Sequence, residues 1–263
     1  MNSLNSLRSL AVIGLSSVML ASCHFERDYA INGTIDYPSQ MPYGDTIISI
    51  PSLDGQMVYL QDLDGTPFDS CMVEDGHFHF EGKVRTGEEY FAYIFGIYFS
   101  SLIAIEPGEC EYYAGFDSQY ATGTPANDCL TQLQSALTMN ENLSRTRIVS
   151  VVDSLQNLGE QVSDSLADAL LLPLYDEFNA NQQQIFDELY DENKDNIGSV
   201  YVALCRHIEQ VESADELEEA LSEYPDRVLD NELTQAFLRM MRVQGEMMGM
   251  PDDASMEDET FFE

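Results

Sequence analysis

Two histidines, a row of spaced carboxylates and a set of cysteines are the residues of this chain that could do chemistry. His77 and His79 alternate within His77-Phe78-His79-Phe80, so on a strand they share a face and could reach one metal ion. The same alternation describes two solvent-facing residues over two core phenylalanines, and no third ligand stands at a matching spacing. Asp187, Asp191 and Asp195 recur every four residues along a helical pattern, and oxygen-rich sets suit calcium or magnesium. No loop carries the ligand spacing and central glycine of an EF-hand, however, and Asp62-Leu63-Asp64-Gly65 lacks the remaining ligands, so a solvated acidic face is expected. Serine chemistry finds no G-x-S-x-G elbow, and His24, His77, His79 and His207 are the only candidate imidazole bases. His207, beside Leu204 and Ile208, reads as structural. Cys71, Cys110, Cys129 and Cys205 are separated by 39, 19 and 76 residues, which gives neither a C-x-x-C redox pair nor a zinc cluster. They could form disulfides in three pairings or sit as buried apolar thiols. Met240, Met241, Met247, Met248 and Met250 fit either a helical core stripe or an adaptable binding surface.

The elements that must position these residues change character partway along the chain. From Tyr29 to about Phe116, short β-branched and aromatic segments alternate with turn signals at Asn32-Gly33, Tyr43-Gly44-Asp45, Asp54-Gly55, Asp64-Gly65, Asp75-Gly76 and Pro107-Gly108. This predicts an antiparallel sheet with one face wet. Tyr90 to Ile105 holds sixteen residues without a charge. It is too short to span a bilayer and too rich in strand formers for a helix, so two buried strands are expected. After Gly123-Thr124-Pro125 the apolar period becomes helical, with Thr124 as expected N-cap and Pro125 at the first helical position. Stripes follow at Leu130, Leu133, Leu137; at Ile148, Val152, Leu155; and at Leu166, Leu170, Leu174, with a kink or break expected at Pro173. Later segments centre on Phe178–Leu189 and Val200–Val211; a capping box at Ser213 and Glu216 opens a short helix, and a last helix starts near Asp230. The fold class is therefore α+β: an N-terminal antiparallel β-sandwich or barrel-like domain over residues 29–122, then an all-helical domain over 123–250. The acidic tail 251–263 is expected to be disordered.

The first 28 residues set the address. A head whose only charge is Arg8 leads into an uncharged apolar run, Leu10 to Leu20, and then small residues, which is the layout of a secretory signal peptide. The run falls short of the roughly 20 residues a spanning helix needs. Leu20-Ala21-Ser22-Cys23 resembles the lipobox of bacterial lipoproteins. The resemblance implies cleavage after residue 22, acylation of Cys23, and a tether over 23–28 that leaves 241 of the 263 residues in the mature chain. His24 in place of an Asp points to the outer membrane in that family. With 47 acidic against 11 basic residues and a formal charge of −36, the body repels nucleic acid and anionic headgroups. The bilayer must then be held through the acyl chains alone.

A second resemblance rests on the order of motifs. Val58-Tyr59-Leu60, Asp69-Ser70, Asp75-Gly76-His77-Phe78-His79-Phe80-Glu81-Gly82, Ile105-Glu106-Pro107-Gly108 and Thr122-Gly123-Thr124-Pro125-Ala126-Asn127-Asp128 follow one another. They resemble a β-rich domain of unknown function at the front of bacterial envelope lipoproteins whose C-terminal half is a thioredoxin-like thiol:disulfide oxidoreductase. The stretch Ser199 to Tyr224 resembles, more loosely, the helical linker before that module. Where the family continues into its redox site, this chain has Met247-Met248-Gly249-Met250, no Trp and no C-x-x-C. The resemblance thus implies the accessory domain and linker without the enzyme, and no catalytic residue is carried over. The connection 37–56 is longer than the family's usual one. The expectation is a non-enzymatic, lipid-anchored envelope protein with no metal or cofactor and a protein partner in the envelope. The alternative is a thiol-dependent accessory to a separate oxidoreductase. A third reading is glycan or peptide capture by the aromatic-rich sheet.

Overall fold

The computed structural model describes residues 25–43, 46–158 and 163–248. Cys23, His24, the signal segment and the tail 251–263 lie outside them. Two four-stranded sheets form the N-terminal region. The first has the order β10-β9-β1-β6, from β10 (Gln119–Thr122), β9 (Gly108–Gly115), β1 (Glu26–Asp36) and β6 (His77–Arg85). The second has the order β5-β4-β7-β8, from β5 (Pro67–Met72), β4 (Met57–Gln61), β7 (Tyr90–Gly96) and β8 (Phe99–Ile105). The extra length of the 37–56 connection is a separate hairpin, β2 (Gln40–Tyr43) with β3 (Thr46–Ser49). One expectation is corrected here: the first sheet is mixed, because β1 pairs antiparallel with β6 but parallel with β9. The second sheet is antiparallel throughout.

The predicted alternation holds where it was sharpest. Phe78 and Phe80 are buried between the sheets and His77 and His79 face outward. Phe78 stacks on Phe99 of the opposite sheet with centroids 6.2 Å apart, and Ile31, Leu60, Ile94, Ile103 and Tyr112 complete the core. Asn32-Gly33 is not a turn but the middle of β1. A Cβ at Gly33 would stand 2.0 Å from the Phe78 ring, so glycine is there to admit that ring. The Gly at Asp54-Gly55, Asp64-Gly65 and Asp75-Gly76 does adopt positive φ as a turn residue. Tyr90–Ile105 is a hairpin of two strands, as expected, turning at Ile97-Tyr98. Its unbroken apolar run has a physical cause: β7 and β8 are buried on both faces. Ala92, Ile94 and Ile103 face the first sheet, while Phe91 and Ala104 face the helices.

Six helices follow among the described residues: α1 (Pro125–Leu158), α2 (Asp164–Asn193), α3 (Gly198–Ile208), α4 (Ala214–Leu221), α5 (Asp226–Leu229) and α6 (Glu232–Met248). α3, α4 and α6 pack around Leu204, Leu217, Leu221, Val228, Leu233 and Leu238 against the outer face of the second sheet. Ser213 caps α4 as predicted, its hydroxyl accepting from Glu216 N–H at 3.3 Å, but the Glu216 carboxylate reaches past the N-cap residue to accept from Glu212 N–H at 2.8 Å, so the reciprocal half of the box falls one residue early. α1 and α2 form a long hairpin, and α2 is continuous through Pro173, where a kink or break is predicted. No described helix is long and apolar enough to cross a membrane.

Candidate functional site

The seam between the β region and the helices is built from two turns of chain. Ile105-Glu106-Pro107-Gly108 joins β8 to β9, and Thr122-Gly123-Thr124 joins β10 to α1. At Gly123, φ is 102° and a Cβ would stand 2.7 Å from the Glu109 carbonyl oxygen, so only glycine passes there. Asn127, fully buried, accepts from Ala104 N–H at 2.9 Å and donates to Ala104 C=O at 2.9 Å. It serves β8 as a neighbouring strand would. Glu106, also buried, accepts from Ala126 N–H at 2.7 Å and Asn127 N–H at 3.3 Å. Thr124 holds the N-cap position, its carbonyl taking the first helical bond from Asp128. Its hydroxyl, however, accepts from Asn127 Nδ2 at 2.8 Å and bonds Glu106, so the side-chain acceptor that caps α1 is Glu106 rather than Thr124. Burial raises the Glu106 carboxyl above its usual 4.5, and these hydrogen bonds oppose the rise.

With its start fixed, α1 runs back along β10 and leaves a cleft of about 480 Å³ walled by β8, β10, α1, α2 and α3. The floor is Leu102, Leu130, Leu133 and Leu137, with aromatic rings from Tyr120, Phe178 and Tyr201. Thr131 closes the free edge of β10, its hydroxyl accepting from Ala121 N–H at 3.2 Å and donating to Ala121 C=O at 2.6 Å. Tyr112 donates to Ser101 at 3.0 Å and Ser101 to Gln119 Oε1 at 2.6 Å. That chain leaves the Gln119 amide N–H₂ as the group presented. Gln134, Thr138 and Gln182 line the cleft, and Glu141 and Glu209 are its only charged residues among those described. A second, outer groove of about 610 Å³ continues past Tyr120 along α1 to Thr146. Tyr120 is held in this passage by stacking on Tyr113, with centroids 5.0 Å apart, and Tyr113 donates to Asp36 at 3.0 Å.

The residues singled out from sequence are dispersed. His77 Nδ1 meets Thr34 Oγ1 at 3.3 Å, and His79 Nδ1 meets Asn32 Oδ1 at 2.9 Å. Each imidazole therefore has its own sheet neighbour rather than a shared ligand point. Asp187 pairs with Arg206, and no group of three His, Cys, Asp or Glu that could hold a metal is found among the described residues. His207 contacts the Tyr224 hydroxyl at 3.1 Å, and burial lowers its pKa. Met240 lines a surface groove with Leu63, Tyr93 and Phe237, whereas Met241 packs on the helical core. The four described cysteines are unpaired thiols: Cys110 and Cys129 are buried, Cys71 and Cys205 partly so. Burial drives Cys110 and Cys129 up to about 12 and Cys205 to about 11, and raises Cys71. Only Cys205 borders the cleft, hydrogen-bonded to Tyr201. Sequence reasoning did not find the cleft residues Gln119, Tyr120, Gln134 and Gln182, which carry no spacing signal. Glu106 and Asn127 did stand within recognised motifs.

Residues 29–130 match a family described as a domain of unknown function, DUF4369. The match takes in the sheets from Tyr29 onward, both seam turns and the first turns of α1. Comparison with curated proteins and with solved structures gives no match for the chain.

Proposed function

We propose that this is a lipid-anchored bacterial envelope protein that holds a ligand non-covalently in the seam cleft and does no covalent chemistry on it. The carrying observation is the lining itself: an apolar floor ringed by hydroxyls and carboxamides, the composition of a recognition site. The one thiol at its border is held protonated by burial, and thiolate is the reactive form. The same protonation at Cys71, Cys110 and Cys129 weighs against a thiol-dependent accessory of an oxidoreductase. Anchoring rests on the resemblance of Leu20-Ala21-Ser22-Cys23 to a lipobox, and the outer-membrane address on His24. A partner among envelope proteins is supported only by the resemblance of the motif order from Val58 to Asp128 to the domain found ahead of thioredoxin-like modules.

Intact mass of envelope-extracted protein, alkylated folded and then unfolded, tests both parts. The expected spectrum starts at an acylated Cys23 and gains no alkyl group before unfolding. A chain still carrying residues 1–22 would remove the anchor, and rapid labelling of a thiol in the folded protein would turn the function toward redox chemistry.

A further inference from the structure

We propose that the cleft takes a neutral oligosaccharide, an inference that rests on reading it as a binding site. The charges come first. Among the described residues no Lys, Arg or His lines either the inner cleft or the outer groove, while Glu141, Glu209 and Asp117 do. In a chain of formal charge −36, phosphates, sulfated or uronic sugars and peptide carboxylates meet only repulsion there.

The backbone comes second. An extended peptide is usually captured by adding a strand to a free sheet edge. Two sheet edges border the cleft: on β10 Thr131 already uses both outward groups of Ala121, and on β8 Asn127 uses both groups of Ala104. Affinity must therefore come from side chains, and those present are carboxamides and hydroxyls, which can donate and accept at once. Gln134, Thr138 and Gln182 make no side-chain hydrogen bond among the described residues, and the Gln119 N–H₂ is directed away from Ser101. A ligand dense in hydroxyl groups and free of charge answers that set.

The ring comes third. Tyr120 is 41 % exposed yet fixed from behind by Tyr113, itself held by Asp36. An aromatic face immobilised before binding offers a platform for the C–H face of a pyranose at little ordering cost. It stands where the inner cleft and the outer groove meet, so a chain of sugars could lie across it with residues on either side.

The test is an array of neutral and acidic glycans probed with the detergent-solubilised mature protein, alongside a peptide array, followed by titration of the best binder. Neutral glycans should be retained. Tyr120→Ala should weaken binding at least about tenfold, the equivalent of one lost stacking contact, Gln134→Ala should weaken it less, and Tyr120→Phe should leave most of it. Unchanged thermal melting verifies that these surface variants fold. Retention of acidic glycans alone, or neutral binding indifferent to Tyr120→Ala, would overturn the proposal. Peptide binding lost in the same variants would overturn the sugar while leaving the cleft a binding site, and silence on both arrays would remove both readings.

Discussion

Asn127 uses its amide oxygen and one N–H on β8 and donates its other N–H to Thr124, with no exposure to water. Replacing it by alanine would strand the N–H and C=O of Ala104 at a buried edge and remove the donor to Thr124. An unmatched buried polar group costs about 1–3 kcal/mol, so Asn127→Ala is expected to lose about 3 kcal/mol. Urea unfolding should show it as a lower midpoint. A loss under about 0.5 kcal/mol, the level of an ordinary surface substitution, would mean that the seam is held elsewhere. The sequence made Thr-Gly-Thr-Pro-Ala-Asn-Asp legible as a helix start because capping is local. What Asn127 and Glu106 do was not legible, since their partners lie 20 to 23 residues away in sequence. Gln119 and Tyr120 were hidden for the same reason: an amide or a ring becomes a site only once another element faces it.

At the scale of elements, pattern foretold type well and partnership poorly. The period of Leu166 and Leu170 announces a helix, and a helix is there, but these side chains are 40 % and 44 % exposed. Periodicity reports an apolar face without reporting what covers it. The parallel pairing of β1 with β9 was equally out of reach, because the two strands are separated by the whole second sheet. The outer part of the α1–α2 hairpin leaves Leu143, Val149, Leu172 and Tyr175 exposed as well. Asn140 donating to the Phe178 carbonyl at 3.1 Å and the Arg147–Glu177 pair are its polar ties. Pro173 weakens it further, since a proline inside a helix removes one backbone bond and costs up to about 3 kcal/mol relative to alanine. Pro173 is exposed, so Pro173→Ala changes no core packing. Amide hydrogen exchange over residues 164–178 should slow by one to two orders of magnitude, the equivalent of about 1.4–3 kcal/mol. Unchanged exchange would show that the helix already compensates for the missing bond.

At the scale of the molecule, the proposed anchor fixes an orientation. β1 starts at Glu26, so strand order reaches into the segment read from sequence as tether, and three residues from Cys23 reach at most about 10 Å. The end of the sheet nearest the bilayer is then the one holding Phe25, Glu26, Arg85 and Glu88, which are linked by Thr86 N–H to Phe25 C=O and by the Arg85 ion pairs. Arg27, Lys83 and Arg85, three of the chain's 11 basic residues, gather at this end. A body of charge −36 can approach anionic headgroups there with less repulsion than elsewhere. β9 runs parallel to β1 and β10 runs back toward the bilayer, so α1 begins at the near end and climbs away. Its contacts trace the climb: Thr131 lies beside Ala121, and further along α1 Leu143 and Thr146 line the outer groove with Asp117 and Ser118 of the far turn. From Leu143 to the end of α1 at Leu158, a rise of 1.5 Å per residue adds about 22 Å of helix leading away from that groove. In proteoliposomes bearing the lipidated chain, a fluorophore on Glu88→Cys should be quenched strongly by nitroxide-headgroup lipid, and one on Gln156→Cys hardly at all. Equal quenching would mean that the body lies flat or hangs free of the membrane. Stronger quenching at Gln156→Cys would invert the orientation, and the exposed leucines of the hairpin would then face lipid rather than the partner side.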